Sequence, residues 1–125
     1  MSEAARLKLL DRFAGAWNAR DVDALMECMA PACAFHASGG PNACGTVFEG
    51  REAVRAGYAA VFDAFPQAAC TNARHFVAGD RGVSEWRFQG VDRDGKTVDV
   101  DGCDLFVFDG DLIAVKDSYR KMRSG

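Results

Sequence analysis

Apolar residues recur at Leu7, Leu10, Phe13, Ala14 and Trp17, with Arg6, Lys8, Asp11 and Arg12 between them. That is the period of a helix with one dry face, and it predicts an amphipathic helix from Ser2 to Asn18. A tight Asn18-Ala19-Arg20 corner follows. Asp21 can then accept the free amides of a second helix, whose stripe of Val22, Leu25, Met26 and Met29 runs up to Pro31. A short apolar strand from Cys33 to Ser38 leads into SGGPNACGT, a loop too rich in glycine for regular structure and a candidate pocket rim. A third helix starts after Gly50, turns Val54, Tyr58, Val61, Phe62 and Phe65 inward, and stops at Pro66, which has no amide to donate.

Beyond Pro66 the pattern changes to strands: Ala69 to Ala78, Gly82 to Val91, Thr97 to Phe108 and Leu112 to Met122. Gly79-Asp80-Arg81, Asp94-Gly95 and Asp109-Gly110 separate them, and Asp-Gly is a strong hairpin signal because it tolerates positive φ. Helices first and strands afterwards predict an α+β domain spanning 1–125, a curved antiparallel sheet covered by the N-terminal helices.

Counting outward from two-residue turns pairs Glu85 with Asp104, Asp104 with Val115 and Gly102 with Asp117. Asp104 and Asp117 become diagonal neighbours on the face that also carries Val100, Phe106, Val115 and Tyr119, with Arg87 one step away. Two carboxylates in apolar surroundings share protons unequally, which suits acid and base catalysis. The alternative is a structural Asp104–Arg87–Glu85 ion cluster with Asp117 opening to solvent. The opposite face then holds Trp86, Phe88, Cys103, Leu105 and Val107, too apolar to face water, and predicts a homodimer. A single β-bulge would instead turn Trp86 and Phe88 into the pocket and Arg87 and Glu85 outward.

The 49% hydrophobic content is enough for one core, and a net charge of −3 with dispersed cations offers no footprint for nucleic acid or an anionic membrane. The opening residues read as neither signal peptide nor membrane span, which predicts a cytoplasmic protein. Cys28, Cys33, Cys44, Cys70 and Cys103 lack paired CxxC spacing and read as reduced, mostly buried thiols. His36 and His75 have no ligand cluster around them and read as surface or interface histidines; no metal or cofactor is expected.

The segments WNARDVDALMECMAPACAFH, GREAVRAGY and DLFVFDGDLIAVKDSY, in this order and spacing, resemble the SnoaL-like and ketosteroid-isomerase-like branch of the nuclear-transport-factor-2-like superfamily. The resemblance implies a cone of curved sheet closed by helices, commonly dimeric. It implies that Asp104 corresponds to the isomerases' oxyanion-hole aspartic acid and Tyr58 to a tyrosine of their pocket network. Their tyrosine donor falls at Phe13 and their base at Ala37, which argues against steroid isomerisation by that mechanism. Asp117 corresponds to the carboxylate used by SnoaL-type cyclases and limonene-epoxide-hydrolase-like enzymes, although the latter's arginine falls at Gly102.

Together these readings predict a cofactor-independent lyase or isomerase acting on a small apolar or amphipathic molecule. Asp104 and Asp117 are the candidate acid and base. Tyr58, Arg87, Trp17, Phe62, Phe106 and Tyr119 are the candidate substrate contacts. A noncatalytic ligand-binding module and a dimerising accessory domain remain the alternatives.

Overall fold

The computed structural model describes residues 2–124. Three helices, α1 (Glu3–Asn18), α2 (Val22–Glu27) and α3 (Arg51–Ala64), accompany strands β1 (Met29–His36), β2 (Val47–Glu49), β3 (Gln67–Ala78), β4 (Arg81–Val91), β5 (Thr97–Asp109) and β6 (Leu112–Arg120). The strands form one curved sheet in the order β2-β1-β6-β5-β4-β3, an α+β architecture as expected. The sheet is not wholly antiparallel, because β1 runs parallel to β6.

Local chemistry sets the boundaries. The Ser2 side chain accepts from the Ala5 amide and the Asp21 side chain from the Ala24 amide, starting α1 and α2. Met29 opens β1 rather than extending α2, and is buried against the core. Pro31 falls where the β1–β6 register shifts between Met29 and Ala34, so its missing amide costs no ladder bond. Arg20, at φ 58°, donates to the carbonyls of Phe62 and Phe65 and so satisfies the end of α3. Asn18 exchanges two hydrogen bonds of 2.9 Å with the backbone of Cys70, fastening the end of α1 to β3.

Two turns differ from expectation, and they determine what faces the helices. Between β4 and β5 the ladder closes at Val91–Thr97. The Asp92 amide then donates to the Lys96 carbonyl, Asp92 Oδ1 accepts the amides of both Asp94 and Lys96, and Gly95 takes φ 80°, so Arg93-Asp94-Gly95 make a three-residue turn with a left-handed glycine. The register moves by one. Ser84, Trp86 and Phe88 therefore share a face with Asp104, Gly102 and Val100, while Glu85 and Arg87 point away. At the second hairpin the turn is Gly110-Asp111, and a bulge at Ala114 shifts the β5–β6 register between Val107 and Phe108. Beyond that bulge Lys116, Ser118 and Arg120 turn inward and Asp117 and Tyr119 outward.

The core lies between the concave face and the helices, with Leu10, Leu25, Val54, Tyr58, Phe106 and Ile113 at its centre. No described helix is long and apolar enough to cross a membrane.

Candidate functional site

α1, α3, the concave sheet and the loop after β1 enclose a cavity of about 320 Å³. Its walls are mainly apolar, with Phe13, Trp17, Phe35, Phe65, Phe88 and Phe106 among them. Polar groups enter from the sheet. His75, Ser84, Asp104 and Ser118 are register partners in turn across β3, β4, β5 and β6, so they form one row across the cavity floor.

Asp104 is the centre of that row. Its Oδ1 accepts from the Ser118 hydroxyl at 2.6 Å and lies 3.2 Å from Lys116 Nζ as an ion pair, and its Oδ2 accepts from the Trp86 indole at 3.0 Å. Lys116 Nζ also donates to Ser118 Oγ at 2.7 Å. The Lys116 side chain is 5% exposed and that of Asp104 10%, so this ion pair is sealed from bulk water. The ammonium lies 4.6 Å from the Trp17 ring centroid and 4.7 Å from that of Phe35, where π-faces replace lost hydration. A carboxylate has about four acceptor sites, so the Ser118 and Trp86 donors leave acceptor capacity for a ligand.

Trp86 reaches Asp104 because its cross-strand partner is Gly102. A Cβ there would lie 2.5 Å from the Trp86 ring and 2.5 Å from the Tyr119 carbonyl oxygen. The indole occupies the space that a side chain at residue 102 would take.

At one end of the row, His75 Nδ1 is 2.7 Å from Ser84 Oγ, and its Nε2 is 3.2 Å from Asp11 on α1. Its side chain is 9% exposed, so His75 is an internal residue and not the surface or interface histidine expected from sequence. One row over, level with Gly102 and Trp86, Arg120 Nε donates to Ser38 at 3.0 Å while the guanidinium carbon lies 4.6 Å from the Phe88 centroid and 5.3 Å from that of Phe65. Burial lowers the Arg120 pKa from its ordinary value. Burial, followed by the nearby Asp104 charge, pushes the Cys70 thiol up to about 12.

The predicted site residues separate accordingly. Asp104, Trp17 and Phe106 line the cavity. Tyr58 is fully buried behind the wall, its hydroxyl on Met29 Sδ at 3.4 Å and its ring edge-on to Phe13 and Trp17. Burial first, then Asp104, holds the Tyr58 pKa well above its ordinary value. Phe62 packs behind Trp17, with Arg20 over its ring. Asp117, Tyr119 and Arg87 are corrected to the convex face. The Ala114 bulge reverses Asp117 and Tyr119, and the longer β4–β5 turn reverses Arg87, which pairs with Asp99 at 2.6 Å. The expected Asp104–Asp117 neighbourhood and Asp104–Arg87–Glu85 cluster are both absent. Trp86 and Phe88 enter the pocket as in the alternative register, through turn length rather than a bulge. Lys116, Ser118 and Ser84 were missed, although Lys116-Asp117-Ser118-Tyr119-Arg120 alternates polar residues on either face and only its phase differs.

No curated protein matches the chain. Among solved structures, a candidate polyketide cyclase from Xanthomonas campestris superposes with a TM-score of 0.83 at 20% identity, covering 95% of this chain and 92% of the other. A nuclear-transport-factor-2-like protein of unknown function from Mesorhizobium loti gives 0.78 at 26% identity, covering 96% and 93%. A protein from a soil-derived mobile gene cassette gives 0.82 at 20% identity, covering 94% and 90%. The model of the SnoaL-like domain matches residues 10–116, and with it the chain belongs to the SnoaL-like family of nuclear-transport-factor-2-like folds.

Proposed function

We propose that this chain is a cofactor-independent enzyme that moves a proton on a small, largely apolar carbonyl compound, in the manner of an isomerase, lyase or cyclase. The observation that carries this reading is a mainly apolar, aromatic-walled cavity with one carboxylate on its floor, ion-paired with a buried ammonium. Asp104 uses its free acceptor capacity to take a proton from a carbon next to the substrate carbonyl. The C–H electron pair passes into the carbonyl as an enolate, whose oxygen takes a hydrogen bond from Lys116. The proton returns to a different atom of the same molecule, so no external acceptor is consumed. Asp104 replaces the pair of carboxylates expected from sequence, with a lysine as its partner.

The test is deuterium uptake at the α-carbons of 2-tetralone and related ring ketones in D2O, followed by NMR near neutral pH. The protein should accelerate uptake over buffer, and Asp104→Asn and Lys116→Met should each lose about a hundredfold or more, the usual range for one acid–base or oxyanion group. No acceleration across the panel, or an undiminished rate in Asp104→Asn, overturns proton transfer and leaves the noncatalytic binding module as the reading. A second copy of the chain against the convex sheet face and a cytoplasmic location belong to the same proposal. The first is supported by apolar residues on that face and the second by five free cysteines.

A further inference from the structure

The charges facing the cavity do not balance. Lys116 and Asp104 form an ion pair of 3.2 Å, but Arg120, two residues beyond Ser118 on the same face of β6, lines the cavity with no carboxylate within salt-bridge distance among the described residues. Its Nε is used on Ser38. Its two terminal nitrogens have no hydrogen-bond acceptor among the described residues, although every fully buried side-chain polar atom described has a partner. Those nitrogens are therefore open to the cavity or its mouth. The guanidinium itself is fixed, held by Ser38 on the rim loop and lying against the rings of Phe88 and Phe65.

A guanidinium that is partly stripped of water, immobilised and left without a counter-ion is an unpaid desolvation cost in the free protein. Its lowered pKa reflects that same burial. A planar fork with both terminal nitrogens free matches a carboxylate better than a carbonyl or hydroxyl, because two parallel N–H···O bonds form at once.

We infer that Arg120 is the anchor for a carboxylate on the ligand, so that the cavity takes small amphipathic monocarboxylic acids, with the acid group at the Ser38 rim and the apolar body over Trp17, Phe35 and Phe106. This rests on the proposed reading of the cavity as a small-molecule site and specifies the substrate class. Arg120 and Ser118 are separated by one two-residue strand step, roughly 7 Å. A carboxylate held at Arg120 therefore brings carbons a few bonds away to the Asp104–Lys116 pair, which is the arrangement a keto acid with a ring-sized body would need.

Calorimetric titration of 2-naphthoate and its neutral isostere 2-naphthamide tests the inference. The wild-type protein should bind the acid at least tenfold more tightly than the amide. Arg120→Gln should bring the acid-to-amide affinity ratio to about one, and Arg120→Lys should retain part of the preference. The comparison is a ratio within each variant, so a general loosening of the rim moves both ligands and leaves the ratio. Equal binding of acid and amide by the wild type overturns the carboxylate anchor and leaves the cavity reading intact. So does a preference for the acid that survives in Arg120→Gln, since another cation would then hold the acid. Failure of both compounds to bind overturns the cavity reading, and the anchor with it.

Discussion

Cys70 shows how far one buried charge reaches. Its thiol lines the cavity, and burial raises its pKa to about 12, with the negative charge of Asp104 adding to the effect. Only the thiolate alkylates, so near pH 8 its reactive fraction should fall about a thousandfold below that of a thiol at the ordinary 9.0. Cys44, exposed on the rim loop, should react first with iodoacetamide, and peptide mass spectrometry should find Cys70 unmodified in the folded protein. Neutralising Asp104 removes a contribution that raises the Cys70 pKa. Asp104→Asn should therefore lower that pKa and speed alkylation of Cys70, though not to the rate of Cys44, because burial is the larger cause. Rapid labelling of Cys70 in the wild type, or no acceleration in Asp104→Asn, would separate this thiol from the Asp104 cluster.

The elements themselves were legible, and their phase was not. Helical spacing located α1 and α3, Pro66 marked the end of α3, and period-two segments located all four strands of the meander. These signals are local and survive in any tertiary setting. Register is different, because one residue of turn length reverses every side chain that follows. Asp94-Gly95 reads as a two-residue turn until the Asp92 carboxylate is seen capping the amides of Asp94 and Lys96. The bulge at Ala114 has no marker in its own residue type, yet it exchanges Asp117 for Lys116 and Ser118 at the cavity. Asp104 kept its predicted orientation because it alternates in phase with the apolar Val100, Phe106 and Phe108 along β5, whatever the register of its neighbours. Gly102 is where this pairing is least forgiving. Gly102→Ala drives a Cβ to 2.5 Å from both the Trp86 ring and the Tyr119 carbonyl oxygen, and the backbone oxygen cannot rotate aside. The substitution should destabilise the protein by about 1–3 kcal/mol, the usual cost of overpacking, read as a lower urea midpoint. A midpoint within error of wild type would mean that β4 and β5 are not held at this spacing.

At the scale of the whole molecule, the register that turns the polar row inward also decides what the outer face presents. Trp86 and Phe88 leave that face, which removes the largest side chains from the dimer argument made on sequence, and what remains is a different patch. Phe76, Val83 and Leu105 are register partners across β3, β4 and β5, with Val107 and Val115 paired one row over. Phe76 is 54% exposed and Tyr119 51%, high for aromatic residues on a sheet whose other face already supplies the core. Charged residues bound the patch, with Arg74 against Glu85 at 3.6 Å on one side and Asp117 at the end of the Leu105 row. An apolar centre with a polar rim suits a self-complementary contact in which each copy covers the other's Leu105. The wild-type protein should therefore sediment at twice its 13.5 kDa chain mass at micromolar concentration. Leu105→Arg replaces an apolar side chain at the centre of that contact with a long guanidinium, which each copy would have to desolvate even if it pairs with Asp117 beside it. It should sediment as a monomer with an unchanged far-ultraviolet circular dichroism spectrum, since Leu105 faces away from the cavity. A monomeric wild type sinks the dimer, whereas a dimer that survives Leu105→Arg moves the interface off this face.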